Sequence, residues 1–233
     1  MPSRTEEASP LWPELPYEAW KDTYATFAFV DSDCRQDTVR ADPPVRLLLQ
    51  LINADEVLGL STKPIQRLNL IDTESRKTLL GNTLVLIAPK DSTVSLPIEK
   101  NFPLLQALGP DGKLAMASVD SVPAGKYGKA ALIYLGVWDA VARRVAQAEN
   151  VRAALAFVAL GETPLGIVYG TDAKAEPAVR LVGTFPEESH PKIEYPVALL
   201  VNAKPEARKF LDFILSPEAA PIFEAQGFEI LAK

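Results

Sequence analysis

Ile167-Val168-Tyr169-Gly170-Thr171-Asp172-Ala173 is a β-branched strand that ends in a tyrosine and a polar turn. Earlier in the chain, Val122-Pro123-Ala124-Gly125 is a turn that opens a helix-like run. Strand ends and helix starts are where an α/β fold gathers the groups that hold a ligand. Neither stretch supplies a nucleophile paired with a base. Together they point to a chain that grips something small and leaves it chemically unchanged.

Outward from these stretches, the pattern is orderly from residue 68 on. Asp72 reads as the cap of a helix running to Leu80, stopped by Gly81-Asn82. Thr83 to Ala88 (TLVLIA) is an almost wholly apolar strand, the kind found in a sheet covered on both faces. Further strands are expected at Lys113 to Ser118, Gly166 to Tyr169, Val179 to Thr184 and Tyr195 to Val201. Helices are expected at Phe102 to Leu108, Tyr127 to Leu135, Trp138 to Ala146, after the Asn150 cap, and at Pro205 to Leu215. Ser216-Pro217-Glu218 opens a last helix that Gly227 ends. This alternation predicts an α/β protein with mostly parallel sheets.

Composition narrows the function. The 233 residues, 48% of them hydrophobic, suffice for one large domain or two smaller lobes. A formal charge of −6 with no block of lysine and arginine gives no support to nucleic-acid binding. Cys34 and His190 are the only residues of their kinds, which excludes an internal disulfide, a multi-thiolate metal site and a triad within one chain. No enzyme, cofactor or direct cation ligand is therefore expected. Met1 to Pro16 (MPSRTEEASPLWPELP) is acidic and proline-rich and lacks the pattern of a signal peptide, so the chain as written is expected in the cytoplasm. No stretch is long and apolar enough for a membrane span.

From about Asn69 to Phe228 the chain resembles the periplasmic molybdate-binding proteins of ABC importers. The resemblance is carried by Leu80-Gly81-Asn82-Thr83-Leu84-Val85-Leu86-Ile87-Ala88-Pro89, Val122-Pro123-Ala124-Gly125-Lys126-Tyr127 and Glu149-Asn150-Val151-Arg152-Ala153-Ala154-Leu155. It continues through Pro164 to Ala173, Thr184 to His190 and Ile193 to Val197, in matching order and spacing. It implies a two-lobed periplasmic-binding-protein type II fold closing over a tetrahedral oxyanion. It also implies a periplasmic location, a transporter membrane subunit as partner, and a monomer. The family's contacts to molybdate or tungstate map onto the backbone N–H groups of Ala124 and Val151 and the hydroxyl of Tyr169. All three donors are neutral, which suits reversible capture of a fully deprotonated anion.

The domains expected on this basis are a first lobe from 50–86 with 190–233, a second lobe at 87–183, and a connecting segment at 184–189. Residues 1–49 form an atypical N-terminal segment. The family begins with two strands, each leading into a serine that contacts the anion, and residues 1 to 60 show neither pattern. Residues 12 to 26 instead resemble the opening of a separate bacterial family. The first lobe is therefore expected to be incomplete or rearranged, by frameshift, fusion or truncation, with real divergence and substitute ligands as the alternative. The functional alternatives are a degenerate or frameshifted member, or a cytoplasmic oxyanion sensor, with weak or no ligand binding.

Overall fold

The computed structural model describes residues 71–201 and 203–232. The N-terminal segment 1–49, and the part of the expected first lobe before residue 71, lie outside the described residues. Asp72 is a cap, but of a single 3-10 turn, Thr73–Ser75: its carboxylate accepts the Glu74 N–H at 3.1 Å. The next residues form a strand, β1 (Lys77–Gly81), where a helix to Leu80 was expected. A cap is a local signal, whereas β1 is held by distant partners. It pairs antiparallel with β7 (Glu194–Val197) and β8 (Glu229–Ile230), giving a three-stranded sheet in the order β7-β1-β8.

After Asn82-Thr83 the chain enters β2 (Leu84–Pro89), whose first five residues are all buried. This strand sits inside a five-stranded sheet of order β4-β3-β5-β2-β6. The members in chain order are β3 (Leu114–Ala117), β4 (Val145–Ala148), β5 (Leu165–Tyr169) and β6 (Val179–Thr184). Strand β3 runs parallel to β4 and β5, but β2 runs antiparallel to both β5 and β6. The sheet is mixed rather than mostly parallel. An all-apolar run reports that both faces are covered, and that condition holds whichever way the neighbouring strands point.

Among the described residues the helices are α1 (Leu104–Ala107), α2 (Pro123–Tyr134), α3 (Trp138–Val141), α4 (Val151–Ala159), α5 (Gly170–Ala175), α6 (Pro205–Ile214) and α7 (Ala220–Gln226). Strand β5 shows how α2 and α4 cover the sheet. Gly166 lies under Val158 of α4, while the next residue, Ile167, lies against Gly128 of α2. Successive side chains on a strand face opposite ways, so the two helices cap opposite faces. The expected helix from Trp138 to Ala146 breaks after Val141. A 3-10 turn, Ala142–Arg144, leads into β4, an edge strand fixed by pairing Val145 with Leu114 and Ala148 with Ala117. Helix α7 begins at Ala220, three residues after the expected first position at Pro217, and ends at Gly227.

Candidate functional site

Strands β4, β3 and β5 are adjacent and parallel, so their carboxyl ends lie along one edge of the sheet. Each end leads straight into a helix. Ala117 ends β3, and the loop after it delivers α2, with Val122 at the cap position and Ala124 second in the helix. Ala148 ends β4, and Glu149-Asn150 delivers α4, with Val151 first. Tyr169 ends β5 and is itself the cap residue of α5. The three residues read from the sequence therefore follow three neighbouring strand ends, and all three are buried. Open α/β sheets place ligands at such an edge.

Local bonding sets what that edge presents. The Ser118 N–H donates to the Ala148 carbonyl at 2.8 Å, and the Val119 N–H donates to Gln147 Oε1 at 3.0 Å, tying the β3 loop to the end of β4. Gly125 allows α2 to press onto the strand end. A Cβ there would lie 2.4 Å from the Ala117 carbonyl oxygen and 2.3 Å from that of Ser118. The first helical N–H groups have no acceptor inside the helix and carry the positive end of its dipole. In α2, Pro123 has no N–H and Val122 provides no side-chain cap, so Ala124 bears the first helical amide. In α4, Asn150 Oδ1 accepts the Ala153 N–H at 2.8 Å, which leaves the Val151 and Arg152 amides outside both cap and helix bonding.

Two side chains at this edge read from the sequence only as structural, Asp172 in a turn or helix start and Asn82 as a helix stop. Burial pushes the Asp172 carboxyl up to about 6, against the pull of the Arg152 guanidinium and a hydrogen bond from the Tyr169 backbone N–H. The residue is half-exposed as a whole, but its Oδ2 is sealed from solvent and has no hydrogen-bond partner. Asn82, expected only to stop a helix, is a buried junction between the two sheets. Its amide donates to Thr171 Oγ1 at 2.9 Å and to the Tyr195 hydroxyl at 3.1 Å, while its oxygen accepts the Thr83 N–H at 2.9 Å. Only an oxygen can accept that N–H, so the amide's orientation is fixed. The Tyr195 ring is in turn held edge-on against Phe228, 5.7 Å between centroids. A polar residue inside an apolar run was the available signal, because a buried amide must find partners.

A family model described as bacterial extracellular solute-binding protein matches residues 39–229. The chain belongs to that family. Among its relatives, the molybdate-binding protein ModA of Escherichia coli K12 is 46% identical over 166 residues, covering 69% of this chain and 63% of its own length. The ModA protein of Haemophilus influenzae is 36% identical over 204 residues, covering 87% and 77%. A solved structure described as the substrate-binding domain of a molybdenum ABC transporter from Clostridium difficile superposes with a TM-score of 0.62. It is 29% identical and covers 91% of this chain and 93% of that one. The match thus spans less than two-thirds of the E. coli relative's length.

Membership in a family of solute-binding proteins agrees with the absence of an expected catalytic pair. Among the described residues, no group of three or more His, Cys, Asp or Glu side chains is placed to hold a metal ion. The cytoplasmic location expected from Met1 to Pro16 is overturned by the match, since this is a family of extracellular binding proteins. Those 16 residues lie outside the matched range, so they say nothing about where the matched part works. The match also starts at residue 39, well before Asn69, where the motif resemblance begins.

Proposed function

We propose that this solute-binding protein captures molybdate or tungstate and hands it to the membrane subunits of an ABC importer. One observation supports this above the others: two helix N-termini and a strand-end tyrosine meet at one sheet edge, each offering a neutral donor. In this reading the anion's oxygens accept hydrogen bonds from the Ala124 and Val151 amides and the Tyr169 hydroxyl. Helix N-termini favour anions without adding a formal charge, so the ligand is held strongly and released readily. The relatives at 46% and 36% identity are named for molybdate, which favours it over other tetrahedral oxyanions.

The architecture that goes with this function is a pair of lobes closing over the anion. The first comprises 50–86 and 190–233, the second 87–183, with 184–189 connecting them. Two separate sheets favour a division of this kind, with β1, β7 and β8 in one, but β2 (Leu84–Pro89) lies wholly in the mixed sheet, so residues 84–86 go with the second lobe's strands and not with the first. Calorimetric titration with molybdate, tungstate and sulfate tests the proposal. Binding of molybdate and tungstate well ahead of sulfate is expected, weakened roughly tenfold or more in Tyr169→Phe, as for loss of one hydrogen bond to a charged group. Absence of binding to any of the three anions would mark a member that has lost its ligand, and would defeat the proposal.

A further inference from the structure

Among the described residues, two stretches carry the chain between the sheets, and they are bonded to each other. Asn82-Thr83 joins β1 to β2, and residues 185–193 join β6 to β7. The Asn82 backbone N–H donates to the Ile193 carbonyl at 3.2 Å, and the Phe185 N–H donates to the Leu84 carbonyl at 2.9 Å. The Asn82 side chain is buried at this crossing, where its amide must find partners. One is the Tyr195 hydroxyl of β7, 3.1 Å away, on a ring packed against Phe228. The other is Thr171 Oγ1, 2.9 Å away, two residues beyond the strand-end Tyr169.

The chain just past Tyr169 is fastened to the crossing in other ways as well. The Gly170 N–H donates to the Thr83 carbonyl at 2.9 Å, and a Cβ on Gly170 would run into the Thr83 hydroxyl, so the two backbones lie against each other. Helix α5 is held from its far side too. Lys174 Nζ donates to the Glu224 carbonyl of α7 at 3.1 Å, and a Cβ added at Gly227 would come within 3.7 Å of the Thr171 Cα. The turn that presents Ala124 is anchored differently, through Ser118 and Val119 to the end of β4 inside the mixed sheet. Of the three proposed donors, Tyr169 is thus the one whose support reaches across to the other sheet. A ligand-contacting hydroxyl is only as well placed as the hydrogen bonds that hold its backbone.

We propose that Asn82 is a positioning residue for anion capture: through Thr171 it holds the Tyr169 strand end in a set place relative to the three-stranded sheet, without touching the anion itself. This rests on the reading that the Tyr169 hydroxyl contacts the ligand. The arrangement makes a specific demand on substitutions. Serine at 171 keeps an oxygen for the Asn82 amide, whereas valine keeps the shape and removes the acceptor.

The test is calorimetric titration of the full chain with molybdate, each variant being shown to be folded by circular dichroism and its stability measured by urea unfolding. Thr171→Val is expected to weaken binding about fivefold or more, and Thr171→Ser to stay within about twofold of the unsubstituted protein. Asn82→Ala, which releases both sheets at once, should cost about tenfold or more. In a Tyr169→Phe background T171V should cost no more than about twofold, because a hydroxyl that is gone cannot be misplaced. Ser75→Ala is the control for mere loosening: it removes a buried acceptor of the Leu199 N–H, 2.8 Å away, and should lower stability while affinity stays within about twofold. A loss below about twofold in T171V, losses that multiply with Tyr169→Phe, or an equal loss in S75A overturns the positioning role while molybdate binding itself stands. Should Asn82→Ala not fold, T171V and T171S decide by themselves. If the unsubstituted protein binds no anion, the functional reading fails and this proposal falls with it.

Discussion

Replacing Asn82 by alanine should loosen the junction between the two sheets. Three hydrogen bonds end on this one side chain: to Thr171 Oγ1, to the Tyr195 hydroxyl and from the Thr83 N–H. Each neutral hydrogen bond contributes about 0.5–1.5 kcal/mol net, so their joint loss should destabilise by about 2–4 kcal/mol. The upper part of that range applies because the Thr83 N–H and the two hydroxyls are left in a partly or fully buried setting. For a chain of this size the midpoint of thermal unfolding should fall by roughly 4–16 °C. Urea unfolding followed by tryptophan fluorescence measures the free energy directly. A cycle with Thr171→Val isolates one bond, and a coupling of about 1 kcal/mol is expected. A loss below about 0.5 kcal/mol with no coupling would refute the reasoning, because it would mean that water or a rotated neighbour replaces the amide without penalty.

Other substitutions probe the remaining links. Asp172 has its folded-state value raised to about 6 from an ordinary 3.8, so it favours the folded state fully below about pH 3.8, and this contribution is lost as pH rises through about 6. That is up to about 3 kcal/mol at the extreme, and D172N should flatten this part of the stability profile measured by urea unfolding between pH 4 and 8. Gly125→Val should destabilise by about 2 kcal/mol or more and also weaken anion binding, since its side chain would meet the Ala117 and Ser118 carbonyls and push α2 off the strand end; unchanged calorimetric affinity would refute the link between that contact and the Ala124 amide. Asn150→Ala removes the cap on α4 and should cost about 1 kcal/mol in thermal unfolding, with Asn150→Gly milder.

What could be read from the sequence divides by the range of the interaction. The stretch TLVLIA revealed β2, and Asn150 revealed the start of α4, because apolar runs and caps are written within a few neighbouring residues. Strands β1 and β4 were read as helix. Lys77–Gly81 is a strand only because Glu194–Val197 lies beside it, and Val145–Ala148 only because Leu114–Ala117 does. Strand direction was misread for the same reason. At the site, Ala124 and Val151 offer nothing distinctive but an amide, so family resemblance singled them out where their chemistry could not. Asn82 reads locally as a helix stop and Asp172 as part of a polar turn, and the role of Asn82 is hidden because its partners lie 89 and 113 residues away along the chain.

The way the chain enters and leaves the mixed sheet has a consequence of another kind. It comes in on β2 and goes out on β6, and these strands lie side by side, with Val85 opposite Thr184. The Phe185 N–H even reaches back to the Leu84 carbonyl at 2.9 Å. Residues 84–184 are thus a long excursion whose two ends finish one strand spacing apart, about 5 Å. A stretch with that property can be set into a surface loop of an unrelated protein without stretching either chain, as inserted modules generally require. It would carry the whole edge formed by Ala124, Val151 and Tyr169 with it. Joining those two ends to a fluorescent host would turn that edge into a transplantable part.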